Sequence, residues 1–256
     1  MLSLVQFIMV GFTIFISAFI GSLIGLGGGF LMVPLLSIVV GLPIHEAIGL
    51  SLISIVGVSS SASLNYILNG DVDFKIGSIL ELATVLGVYF GAHLALITDQ
   101  KYLYILFGIV LLYVGYMMFK GGGVVERFTY REVSPKRLLS GAAISFIAGL
   151  LSGLLGVGGG ILKVPIMTLY LGLPMKIAIG TSEYMISITS FTGSYIYLMS
   201  GKIDLRLLGI AYISSIFGAQ LGSRAGIRAG ADILRKVFVG VIIIFAFMML
   251  VRGVSI

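Results

Sequence analysis

The sequence predicts an all-α polytopic membrane protein made of two five-segment repeats in inverted topology, each with a short broken or re-entrant helix after a triple-glycine motif. Three observations predict it: a composition too apolar for a water-soluble domain, a self-match at one fixed offset, and a change of basic charge between equivalent loops. Of the 256 residues, 59% are hydrophobic and 10% are charged, with a mean hydropathy of +1.17; soluble domains carry about 25% charged residues. No Asp, Glu, Lys or Arg occurs from Met1 to His45, which is long enough for more than one helix across a hydrocarbon core of about 30 Å. Further uncharged or nearly uncharged runs cover 47–70, 82–98, 102–119, 138–162, 184–201, 207–223 and 237–251. They are continuous and lack the period-two alternation of an outer-membrane barrel, so the backbone has to satisfy its own hydrogen bonds as helix.

The first segment reads as a permanent helix, because Met1-Leu2-Ser3-Leu4 enters the apolar run without the positive flank of a signal peptide. There is no cysteine, which excludes disulfides, thiolate metal sites and cysteine nucleophiles. The formal charge of +6 sits in short loops beside apolar runs, as membrane orientation requires. Nucleic acid is not expected as a partner.

Sliding the chain against itself by 131 residues aligns Gly25-Leu26-Gly27-Gly28-Gly29 with Gly156-Val157-Gly158-Gly159-Gly160 and Val33-Pro34 with Val164-Pro165. The same offset aligns Gly41-Leu42-Pro43 with Gly172-Leu173-Pro174, and Ala47-Ile48-Gly49 with Ala178-Ile179-Gly180. Ser51, Ser63, Tyr66, Gly70, Asp73, Gly87 and Gly91 also recur, as Ser182, Ser194, Tyr197, Gly201, Asp204, Gly218 and Gly222. The domains are therefore a first membrane repeat over 1–120, a linker over 121–137 and a second repeat over 138–256. Each repeat has an apolar segment of about twenty residues, a short one, then three of spanning length. The short pieces, 30–41 and 161–172, hold twelve residues each, about 18 Å of helix.

The linker carries Lys120, Arg127, Arg131, Lys136 and Arg137 against Glu126 and Glu132, which predicts a cytoplasmic location. Between the fourth and fifth segments, residues 98–101 carry one charge of each sign, whereas 224–236 carry four basic residues against Asp232. Equivalent loops on opposite sides imply an odd number of crossings per repeat, an inverted arrangement and both termini outside.

The glycine clusters are not nucleotide motifs, since no βαβ unit, ribose-binding acid or Lys-Ser/Thr pair accompanies them. As helix breaks at membrane depth they present backbone amides with a positive partial charge, suited to an anion. The bland alternative is close packing by small residues. Duplicated breaks, each followed by a short helix, point to a transporter's central site and to Gly27, Gly28, Gly29, Gly158, Gly159 and Gly160 as its backbone.

The Gly-Gly-Gly, Val-Pro, Gly-Leu-Pro and Ala-Ile-Gly-Thr-Ser series, strongest over 149–204, resembles the TauE/SafE or sulfite exporter family, and the resemblance covers nearly the whole chain. It implies a multi-pass protein of the cytoplasmic membrane that moves a small sulfur-containing anion such as sulfite, a sulfonate or sulfoacetate. The first repeat departs from the pattern at Gly49-Leu50-Ser51-Leu52, and Glu183 stands where an apolar residue is usual.

Lys163 replaces the equivalent Met32 about one turn into the short helix, either as the positive charge an anion needs or as a snorkelling side chain. Glu183 replaces Leu52 and lies about 10 Å along its helix from Lys176, either as a coupling-proton carrier or as an ion-pair partner of Lys163. Ser51, Thr181 and Ser182 offer hydroxyls to sulfonate or sulfite oxygens, or bond their own helix carbonyls. His45 and His93 are the only histidines and make a poor coordination set, so neither metal nor cofactor is expected. Gly87/Gly91 and Gly218/Gly222 form GxxxG patterns that serve either a homodimer or packing within the chain, the second being favoured. No catalytic triad or carboxylate dyad marks an enzyme. A secondary transporter working by alternating access is the expectation and a passive anion channel the alternative, with the coupling ion, proton or sodium, left open.

Overall fold

The computed structural model describes residues 4–24, 27–120, 133–226 and 231–256. Residues 25 and 26 of the first glycine motif, 121–132 of the linker and 227–230 of the basic loop lie outside the described residues. All regular structure among the described residues is helical. The first repeat holds α1 (Leu4–Ile24), α2 (Gly29–Pro34), α3 (Ile44–Leu68), α4 (Phe74–Ile97) and α5 (Gln100–Lys120). The second holds α6 (Pro135–Leu155), α7 (Gly160–Pro165), α8 (Met175–Met199), α9 (Arg206–Gly226) and α10 (Ala231–Ser255). Pro135 opens α6, with Ser134 accepting from the Arg137 amide at 3.4 Å, so residues 135–137 are helical.

The short elements are built by glycine and proline. Gly27 and Gly28 have φ of +74° and +78°, and Gly158 and Gly159 have +76° and +77°, a left-handed conformation open to glycine at little cost. Pro34 and Pro165 have no amide for the helical ladder, and the chain passes there into single π-helical turns, Leu35–Val39 and Ile166–Tyr170. Gly41 and Gly172, both at φ +79°, then reverse it. Each α–π unit is about 16 Å long, half the reach of its neighbours, and Gly28 lies against the Ser17 carbonyl and Gly21 in the body of α1.

Equivalent helices pair reciprocally across the repeats. A Cβ on Gly87 or Gly91 of α4 would fall 2.1 Å from the carbonyls of Phe146 or Leu150 on α6. On Gly218 or Gly222 of α9 it would fall 2.3 or 2.2 Å from those of Phe15 or Phe19 on α1. The four partner residues obey the same 131-residue offset. The GxxxG patterns thus pack helices within the chain, backbone against backbone, and both of these pairs run parallel. In contrast, α3 and α8 run antiparallel, with Gly49 against Tyr197 and Gly180 against Tyr66. So do α5 and α10, where Gly108 meets Leu250 and Gly253 meets Tyr104.

Four helices among the described residues are long and apolar enough to cross a membrane: Leu4–Ser22, Ile44–Leu68, Phe74–Ile97 and Pro135–Leu155. The outer face is lined with exposed large apolar side chains, among them Phe12, Leu82, Phe90, Ile147, Phe191 and Phe217, which water would not tolerate as a continuous surface. The protein is a multi-pass membrane protein.

Gly91→Val and Gly222→Val should each lower stability by at least about 1–3 kcal/mol, because backbone, not a yielding side chain, occupies the space. Gly209→Ala, which meets nothing within 4 Å, should be neutral. Unfolding midpoints of the detergent-solubilised protein test this, and equal midpoints for all three would contradict the packing.

Candidate functional site

The two glycine breaks meet. A Cβ on Gly29 would lie 2.8 Å from the Gly156 carbonyl and 3.1 Å from the Val157 carbonyl carbon, and Gly158 sits against Ile55 and Ile186, an equivalent pair on α3 and α8. The Ser51 hydroxyl donates to the Gly156 carbonyl at 2.8 Å, so one repeat satisfies a polar group that the break frees in the other. Within each break the last left-handed glycine closes the turn: Gly28 O accepts from the Leu31 and Met32 amides, and Gly159 O from those of Leu162 and Lys163.

Beyond the second break the polarity becomes one-sided. Lys163 is in the last turn of the six-residue α7, and its side chain folds back over the break, where a Cβ on Gly159 would come within 3.4 Å of its Cε and 3.7 Å of Ser152 Oγ. Its Nζ donates to Glu81 Oε2 of α4 at 3.0 Å and to Thr189 Oγ1 of α8. The Thr189 hydroxyl donates in turn to the other Glu81 oxygen, with the Met185 carbonyl as its alternative acceptor. Lys163 and Glu81 form an ion pair with side chains 0% and 4% exposed. The direct partner of Lys163 is thus Glu81 and not Glu183.

Glu183 lies within electrostatic reach of Lys163 and has a buried carboxylate oxygen, Oε2, with no hydrogen-bond partner among the described residues. The Ser152, Ser182 and Ser190 hydroxyls share that condition. Such atoms are uncommon in buried protein. The symmetry mates of Lys163, Glu183 and Thr189 are Met32, Leu52 and Val58, all apolar and at most 1% exposed.

The expected site residues divide accordingly. Gly29, Gly158 and Ser51 lie at the meeting of the breaks, with Gly27 against Ile55 beside them. Gly159 and Gly160 stand at the start of α7 and Lys163 in its last turn, and Gly28 packs away from them onto α1. Ser182 is fully buried and has no hydrogen-bond partner among the described residues, whereas Thr181, one residue earlier, accepts from the Asp73 amide at 2.9 Å and so anchors the α3–α4 connection. The residues not anticipated are Glu81, Thr189 and Ser152. Glu81 had a signal: it stands alone inside α4, where the equivalent position is Tyr212. No group of three His, Asp or Glu side chains converges among the described residues, and His45 instead shares its Nε2 with the Ala95 carbonyl at 2.9 Å.

The family model described as "Sulfite exporter TauE/SafE" matches residues 10–249. The chain is 34% identical over 230 residues to the "Probable membrane transporter protein YunE" of Bacillus subtilis, covering 81% of this chain and 84% of that one. It is 32% identical over 231 residues to a "Probable membrane transporter protein" of Xylella fastidiosa, covering 87% and 86%. A 92-residue stretch, 34% of this chain and 20% of the relative, is 33% identical to the "Sulfite exporter TauE/SafE family protein 5" of Arabidopsis thaliana. No solved structure matches.

Lys163→Met should destabilise the protein by about 3–5 kcal/mol by leaving Glu81 buried and uncompensated, while Lys163→Met/Glu81→Leu should recover most of that loss. A thermal double-mutant cycle measures the difference; additive losses would mean the pair is not coupled.

Proposed function

The chain belongs to the TauE/SafE sulfite exporter family, and from that premise we propose that it is a secondary transporter carrying a small sulfur-containing anion across the cytoplasmic membrane by alternating access. The observation that carries this reading is the meeting of the two glycine breaks, Gly29 against Gly156 and Val157. Irregular backbone at membrane depth survives only where protein buries it or a cavity needs it. Broken helices from two repeats converging on one point is the arrangement that transporters use for substrate.

The repeats are inverted in this reading. Support comes from the antiparallel pairing of equivalent helices, α3 with α8 and α5 with α10, together with the basic charge of the linker, which orients it to the cytoplasm. The anion lies at the start of α7. Lys163 gives it a positive partner, the α7 end adds backbone amides at Gly159 and Gly160, and Ser152 and Ser182 offer hydroxyl donors to its oxygens. Ser51 serves the site indirectly by holding the Gly156 carbonyl, and Thr181 by holding the α3–α4 connection. A sulfite or sulfonate head, with three oxygens around sulfur, suits donors converging from several helices better than a planar clamp does.

Uptake by the purified protein in proteoliposomes tests this, with sulfite, methanesulfonate, sulfoacetate, taurine, sulfate and phosphate compared. Saturable uptake and exchange are expected, with sulfite or an organosulfonate preferred. Gly159→Ala, which adds a methyl group beside Lys163 at a φ of +77°, should cut the rate by at least about tenfold. A preference for phosphate or for cations sinks the substrate class, and flux that fails to saturate sinks alternating access.

A further inference from the structure

Among the described residues Lys163 is the only cation in this cluster, and it is already engaged. The Nζ of Lys163 and the hydroxyl of Thr189 form a pair of donors, and the two oxygens of Glu81 occupy them one each. A carboxylate and a sulfonate head both present adjacent oxygens to such a pair, so an arriving anion and Glu81 claim the same two donors.

We propose that Glu81 is the resident competitor of the transported anion: its carboxylate holds Lys163 and Thr189 until a proton, taken up from the side on which the anion enters, neutralises it and releases both donors to the substrate. This rests on reading the protein as an anion transporter. Charge counting supports it. Two carboxylates, Glu81 and Glu183, face one ammonium in a dry interior where net charge is costly. One proton balances the cluster while no substrate is bound, held by Glu183, whose carboxylate has an unpartnered oxygen. When a monovalent anion binds, a second proton on Glu81 keeps the cluster neutral, so each anion moves with one proton and without net charge. On release to the far side Glu81 gives up that proton to water and closes again on Lys163.

The groups around the two carboxylates leave this assignment free of rivals. Against α4, the α7 helix presents Lys163, and α8 presents Thr189 at Glu81 and, nearer the start of α4, the Tyr184 phenol at Ser78; Glu183 of α8 lies within electrostatic reach of Lys163. Helix α6 carries no titratable side chain between Ser140 and Leu155. Against α8, the titratable residues of α3 are His45, Glu46 and Tyr66. His45 is engaged at the Ala95 carbonyl and Glu46 accepts from the Asp204 amide, which leaves the Tyr66 phenol as the one within electrostatic reach of Glu183.

The test uses methanesulfonate, whose charge is constant in the neutral range, with proteoliposomes holding a pH-sensitive dye. The wild-type protein should move one proton with each methanesulfonate, and its affinity should fall about tenfold per pH unit on the alkaline side. Glu81→Gln should exchange the anion without proton movement and with an affinity flat in pH, while Glu81→Asp should restore both the proton movement and the slope. If Glu81→Gln does not fold, the wild-type proton count decides alone, and Thr189→Val should weaken binding about tenfold with that count unchanged. Anion movement without protons in the wild type, or a pH slope that persists in Glu81→Gln, overturns the proposal while leaving the transporter reading intact. Failure of wild-type protein to move any anion of the panel removes the transporter reading and this proposal with it.

Discussion

Two helices of this protein break where lipid offers no water to the backbone, and the rest of the fold is arranged around that constraint. An unsatisfied amide or carbonyl in hydrocarbon costs several kcal/mol, so a break needs protein on every side. Each break here is closed by its own left-handed glycine, Gly28 or Gly159, and by the other break pressed against it. A side chain at Gly29 would force the two apart, as its Cβ would lie 2.8 Å from the Gly156 carbonyl, and one at Gly156 would fall 2.9 Å from the Ile48 carbonyl of α3. The neighbouring helices follow: α3 and α8 flank the junction through Ile55 and Ile186, and Ser51 reaches across to the Gly156 carbonyl.

The membrane class, the duplication and the short elements were legible because each rests on a linear property of the chain: apolar run length, a fixed offset, and glycine and proline at recurring places. The lateral facts were not. Thr181 and Ser182 are adjacent in sequence but about 100° apart around α8, and that rotation alone sends one hydroxyl to the Asp73 amide and leaves the other buried without a partner among the described residues. Glu81 was obscured because uncharged runs make any charge look like the end of a segment. Yet α4 starts earlier, at the Asp73 cap, where the carboxylate accepts from the Ile76 amide at 2.9 Å, which puts Glu81 two turns inside. Thr189 gave no signal, since a helical threonine ordinarily donates to the carbonyl one turn earlier, as Thr84 does to Leu80.

Symmetry and chemistry part company in this molecule. The scaffold repeats down to which carbonyl each glycine touches, Phe15 and Phe19 in one interface and Phe146 and Leu150 in the other. The charges do not repeat. Burying one ion pair in an apolar interior already carries a desolvation cost of several kcal/mol per ion, and a second copy would double it. Met32, Leu52 and Val58 fill the corresponding volume with side chains that need no partner. The duplicated frame therefore supplies position twice, while polarity is installed once.

The glycine-notched contact between α1 and α9 also sets a schedule for the chain's birth. Helix α1 leaves the ribosome before α9, and the surface it fits, Gly218 and Gly222, follows roughly 200 residues later, a delay of about 10–40 s at ordinary synthesis rates. Through that interval its Ser17, which bonds its own Thr13 carbonyl at 2.8 Å, can face lipid without a free hydroxyl. The α4–α6 contact closes sooner, its partners being separated by little more than α5 and the linker. A nascent protein truncated before α9 would leave α1 in the bilayer without this mate.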